Sequence, residues 1–109
     1  MDGRIMKRLT ARKRMEILVD APLLKRVKAM AADAGIEGYT IIPTLEGRGN
    51  KGEWRDERIS GGAGSKVIFL TIISEERASK FLDLLEPILE PYGIIVSLST
   101  AEVIRPEKF

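Results

Sequence analysis

YTIIPTLEGRGNKGEW, residues 39–54, decides between two folds. Its first part, residues 39–45, is an apolar run that reads as a β-strand, and its second part holds a literal G-x-G-x-x-G at Gly47, Gly49 and Gly52. Such glycines mark a dinucleotide-binding turn only when a helix opens directly behind them, because the helix's first amides hold the pyrophosphate. Behind Gly52 comes EWRDERISGGAGS, with no apolar stripe of helical period. The ribose-binding acid expected about twenty residues further on would fall in KVIFLTI, which has none. A P-loop fails as well, since Gly52 is followed by Glu53 and Trp54 instead of Lys and Ser or Thr. A doubly wound parallel sheet is therefore set aside. What remains is a strand that runs into a glycine-rich, charged loop at 46–65, and a loop of that length in a small domain is usually functional or disordered.

The flanking sequence supplies the rest of the frame. Upstream, RMEILV (14–19) reads as a first strand. Asp20 and Pro22 then start a helix, the carboxylate accepting first-turn amides. Its stripe is Leu23, Leu24, Val27, Met30, Ala31 and Ala34, and Gly35 supplies the stop. Pro43 cannot donate to a ladder, so the second strand belongs at a sheet edge. Downstream, KVIFLTII (66–73) is a third, buried strand, and Ser74 caps a second helix with Glu75 and Glu76 in its first turn. Ala78, Phe81, Leu82 and Leu85 form that helix's stripe, Pro87 and Pro91 are expected to end or kink it, and residues 94–104 form the last strand.

The order β-α-β-β-α-β is the ferredoxin-like split motif, an α+β fold with a four-stranded antiparallel sheet in the order 4-1-3-2. Two helices cover one face of that sheet. Strand three nevertheless sets Val67 and Phe69 on one face and Ile68, Leu70 and Ile72 on the other, and strand four sets Ile94, Val96 and Leu98 opposite Ile95 and Val103. An apolar second face needs a cover. Self-association is the simplest expectation.

A chain of 109 residues is one domain on length. Residues 12–109 are assigned to it, and residues 1–11 to a basic arm: the first fourteen residues hold six cations and one acid. A solvated arm is the expected state, and with a net charge of only +2 no nucleic-acid partner is expected. The absence of Cys and His removes disulfides, thiolate and imidazole metal sites, and imidazole acid–base catalysis. No apolar run approaches a membrane span, and the N-terminus lacks the apolar core of a secretory signal, so a cytoplasmic protein is expected.

Within the loop, glycines allow backbone amides to approach an anion, and Arg48, Lys51 and Arg55 supply charge, so the segment reads as an anion cradle. An exposed Trp54 is costly unless it packs on its own domain, a base or a partner protein. Tyr39 is expected to anchor the second strand. Two other uses of the frame stay open. One is a small-molecule-binding trimer of the ACT or CutA type. The other is an acylphosphatase-type enzyme, which needs a phosphate cradle after strand one where this chain has DAPLL, without glycine or arginine.

GIEGYT (35–40), GRGNKG (47–52) and EVIR (102–105), in this order on this frame, resemble the P-II signal-transduction superfamily. The resemblance implies a non-enzymatic homotrimer that binds adenine nucleotides in clefts between subunits and docks a ligand-responsive T-loop on a partner. The phosphate loop T-G-x-x-G-D-G-K of the nitrogen branch is replaced here by EPILEPYG, residues 46–65 have no tyrosine to uridylylate, and the glutamine that helps hold 2-oxoglutarate is missing. The pattern is more similar to the P-II-like branch linked to inorganic carbon, through GYT-I, Gly47-x-Gly49-Asn50-Lys51, and Gly93-Ile94-Ile95 with Ala101-Glu102-Val103.

Carried onto this chain, the resemblance implies AMP, ADP, ATP or cyclic AMP as effector, with no obligatory cofactor. Gly38, Tyr39 and Thr40 would line the adenine end with Leu18 nearby. Gly47, Arg48, Gly49, Asn50, Lys51 and Arg105 would hold phosphate, and Trp54, Arg55 and Arg58 would face the partner. A bicarbonate transporter or a carboxysome component fits as that partner.

Overall fold

The structure is a computed structural model that describes residues 8–50, 52–55 and 65–109. The elements are β1 (Thr10–Asp20), a 3-10 turn (Ala21–Leu23), α1 (Leu24–Asp33), β2 (Thr40–Pro43), β3 (Glu46–Gly49), β4 (Gly52–Arg55), β5 (Lys66–Ile73), α2 (Glu75–Leu89), β6 (Ile95–Val103) and a second 3-10 turn (Pro106–Lys108). β2, β5, β1 and β6 form the main antiparallel sheet in that order, as the split motif requires, and β2 with Pro43 lies at its edge. No described helix is long and apolar enough to cross a membrane.

Alternation along β1 builds the core. Met15, Ile17 and Val19 are fully buried beneath the helices, with Phe69 beside Ile17 in the ladder. Val27 and Ala31 of α1 and Ala78, Phe81 and Leu85 of α2 close over them, and the Phe81 ring meets Phe69 edge-on at 5.7 Å. Each large side chain buried this way contributes about 1.5–3 kcal/mol. The register places Leu18 between Ile68 and Ile95 on the other face. Ile42, Leu70 and Ile72 share that face by alternation, and no described helix lies on it.

Both helices stop in the same way. Gly35 takes φ +80° while the Ile36 amide donates to Ala31 O and the Gly35 amide to Ala32 O. Gly93 takes φ +62° while the Ile94 amide donates to Leu89 O and the Gly93 amide to Glu90 O. Each is a left-handed closure that satisfies the last carbonyls. Ser74 caps α2 as expected, its Oγ accepting from the Arg77 amide at 3.2 Å.

Four expectations need correction. Asp20 does not cap a helix; its carboxylate takes the Lys66 ammonium at 2.5 Å, and the chain enters α1 through a 3-10 turn. Pro87 does not end α2, which runs to Leu89. Pro87 is exposed while Leu85 and Ile88 on either side are buried, so packing holds the helix and the unpaired turn faces water. The segment from 46 is not wholly irregular, because β3 and β4 form a two-stranded hairpin in the register Glu46–Arg55, Gly47–Trp54, Arg48–Glu53 and Gly49–Gly52. β1 begins at Thr10, opposite Val103, so two residues assigned to the basic arm belong to the ladder. Residues 1–7 of that arm lie outside the described residues.

Candidate functional site

A cleft of about 590 Å³ opens where β2 ceases to cover β5. Its walls are the 35–40 segment, residues 70–73 of β5, Arg77 of α2 and the C-terminal residues Pro106–Phe109. The upstream wall is fixed by two contacts. The Thr71 hydroxyl, buried in the sheet, donates to Gly38 O at 2.7 Å. The Tyr39 ring stacks on Phe69 with centroids 4.8 Å apart and the Lys28 ammonium 5.9 Å from its own centroid. Tyr39 thus anchors the start of β2, as expected, while its exposed part borders the cleft.

The cleft combines apolar walls at Leu70, Ile72 and Phe109 with cations at Arg77 and Lys108 and acids at Glu37 and Glu107. Apolar walls with a few convergent polar groups are the usual make-up of a small-molecule cleft. Among the expected site residues, Gly38, Tyr39 and Thr40 line it together. Arg105 stands at its margin: it precedes Pro106 and adopts φ 59°, the left-handed conformation, as β6 turns into the C-terminal 3-10 turn. Arg12 ties that turn down, Nη2 donating to Pro106 O at 3.4 Å. Leu18 lies on the uncovered sheet face and does not line the cleft.

Gly47, Arg48, Gly49 and Asn50 sit in or at the tip of the hairpin and do not line the cleft within one chain. The Arg48 guanidinium is ion-paired with Glu53 across the two strands. Arg55 faces Glu46 in the register and is exposed. Trp54 is half-buried: its indole N–H donates to Thr44 Oγ1 at 3.0 Å, and its ring covers Gly47. Of the readings open for it, packing on its own domain is the one seen. Lys51 and Arg58 lie outside the described residues.

Sequence reasoning missed Arg77 and the C-terminal Glu107–Phe109. The signal for the second was present, since Pro106 opens a turn with an acid behind it and a cation at its end. Nothing local marks Arg77 as a cleft residue; only the docking of α2 brings it there. The strand-one exit is not a phosphate cradle, because the Ala21 amide already donates to Ser65 O at 3.0 Å.

The family model for nitrogen regulatory protein P-II matches residues 12–108. The chain belongs to the P-II family. Among solved P-II-like structures, it is similar to CPII of Thiomonas intermedia K12, a nitrogen regulatory PII-like protein bound to ADP, AMP and bicarbonate. That match has 25% identity and a TM-score of 0.85, over 93% of this chain and 95% of the other. CPII bound to ADP and bicarbonate gives a TM-score of 0.83 at the same identity, over 93% and 96%. A putative PII-like signaling protein of Thermus thermophilus is 30% identical, with a TM-score of 0.72, over 93% and 97%. No curated protein matches the chain in sequence. This P-II membership makes the chain a regulatory protein in a family of generally non-enzymatic signalling proteins, which favours that reading over the acylphosphatase, ACT and CutA alternatives.

Proposed function

We propose that this P-II protein senses adenine nucleotides as a homotrimer and reports their binding to a protein partner through residues 46–65. The observation that carries the proposal is the position of the cleft. It opens on β5 where Leu70 and Ile72, on the uncovered apolar face, meet the Gly38–Thr40 wall. A second subunit seated on that face would bury Leu18, Ile68 and Ile95 and complete the cleft from outside. Leu18 would then approach the adenine, and the neighbour's hairpin or C-terminal cations would approach the phosphates.

CPII, bound to ADP, AMP and bicarbonate, supports adenosine diphosphate or monophosphate as effector and points to inorganic carbon as the physiological context. A bicarbonate transporter or carboxysome component is the partner class that follows. The ligand changes the signal only through unequal affinity for different loop arrangements. Charge-assisted bonds from Arg105, Lys51 and Arg48 to phosphate would supply that inequality.

Calorimetry with AMP, ADP, ATP and cyclic AMP, each with and without bicarbonate, tests the reading. Heat saturating below millimolar nucleotide, with weaker binding in Lys51→Ala, is expected. No heat for any nucleotide at millimolar concentration sinks it. Light scattering should return three times the 12.1 kDa chain mass.

A further inference from the structure

Trp54 makes more contacts than a loop side chain needs in order to be soluble. Its indole N–H reaches Thr44 Oγ1 at 3.0 Å, and that hydroxyl in turn donates to Lys66 O at 2.7 Å. The Lys66 ammonium stands 5.3 Å from the ring centroid, close enough for a cation–π contact, and also pairs with Asp20 at 2.5 Å. The ring lies against Gly47 so closely that a Cβ there would collide with it. The hairpin is thus fastened to the main sheet through one aromatic side chain, one hydroxyl and one lysine.

The space over Gly47 is therefore already occupied. A glycine in an anion cradle is useful because it leaves the backbone open to close approach by a phosphate. Here the indole fills the side that the missing Cβ leaves open. We propose that Trp54 is a latch that competes with an anionic ligand for Gly47, and that Lys66 is the cation exchanged between them. With the latch closed, the Lys66 ammonium rests on the ring. When a phosphate arrives at the glycine, the indole swings off Thr44 and Lys66 turns from the π-face to the anion, still held in place by Asp20. Phosphate occupancy and exposure of Trp54 to a partner become one event. This inference rests on the nucleotide reading above and adds to it a self-occluded state and a residue, Lys66, outside the expected site.

A ligand that binds only the open latch has its apparent affinity reduced by the open fraction. Trp54→Ala should therefore tighten ADP binding by roughly five- to sixtyfold, the worth of one hydrogen bond and one cation–π contact. Thr44→Val should tighten it less, and Lys66→Met should weaken it. Trp54 is the chain's single tryptophan, so its emission reports the latch without a label. Wild-type protein without ligand should resist acrylamide quenching; ADP, or Thr44→Val alone, should red-shift the emission and raise quenching.

Calorimetric ADP binding with unmoved tryptophan emission, or weaker binding in Trp54→Ala, overturns the latch and leaves nucleotide sensing standing. No ADP heat in either wild type or Trp54→Ala overturns both. Circular dichroism verifies folding of each variant, and Thr44→Val carries the same test if Trp54→Ala does not fold.

Discussion

On the helix-covered face of the sheet, Met15, Ile17, Val19 and Phe69 lose all exposure; on the other, Leu18, Ile68 and Leu70 keep part of theirs and Ile95 keeps 60%. The residue types are nearly the same. Among the described residues, only the first face finds its cover, in α1 and α2. Side-chain chemistry alone therefore does not say which half of a sheet is a monomer's core. It says how much apolar surface must be covered, and counting the helices says how much of that the chain covers by itself.

Substitutions on the two faces should separate these roles. Phe69→Ala, in the covered face, is expected to cost about 3–5 kcal/mol of folding stability, read as a lower urea midpoint. Ile95→Asp, on the open face, should leave the far-ultraviolet circular dichroism intact and convert a trimer to monomer in light scattering. An unpaired carboxylate buried between subunits costs on the order of several kcal/mol per ion. If wild type is already a monomer, or Ile95→Asp stays a trimer, the open face is not the interface and the contrast between the faces fails. Thr71→Val keeps the shape but strips Gly38 O of its donor, a loss of about 1–2 kcal/mol. Faster hydrogen exchange should follow around the 35–39 wall. Ser74→Ala removes the α2 cap for about 1 kcal/mol, measurable as a lower Tm without faster exchange at Gly38. Arg48→Ala breaks a solvent-exposed pair with Glu53 and should change stability by less than about 0.5 kcal/mol, while weakening nucleotide binding if Arg48 is recruited to phosphate.

What the sequence made legible follows from short-range physics. The order of strands and helices could be read because alternation and helical spacing are local patterns, and Pro43 placed β2 at the edge because a missing N–H is a local fact. Gly35 announced a helix stop for the same reason. Asp20 could not be read, because whether a carboxylate turns to its own amides or to Lys66 depends on the β1–β5 register. The hairpin was missed because its pairing is carried by Arg48 opposite Glu53 and Trp54 over Gly47, with no apolar alternation. The run Gly49-Asn50-Lys51-Gly52 was the available clue, since Asn and Gly favour tight reversals. Pro87 does not stop α2, because burial of Leu85 and Ile88 outweighs one lost hydrogen bond, and the helix ends at Leu89, before Pro91 and Gly93. Of the residues that line the cleft, only Gly38, Tyr39 and Thr40 were singled out in the sequence as site residues; the C-terminal wall depends on where the turn after β6 packs.

Arg105 is the one described residue other than glycine with positive φ, at 59°. A side chain in that conformation costs roughly 1 kcal/mol that glycine would not. Arg105→Gly should therefore raise the melting temperature slightly, so at this position the more stable protein is not the natural one. If Arg105 is recruited to phosphate as proposed, the strain of its backbone is what holding a guanidinium next to Pro106 costs the fold. If nucleotide affinity falls in the stabilised variant, that cost will have been measured directly.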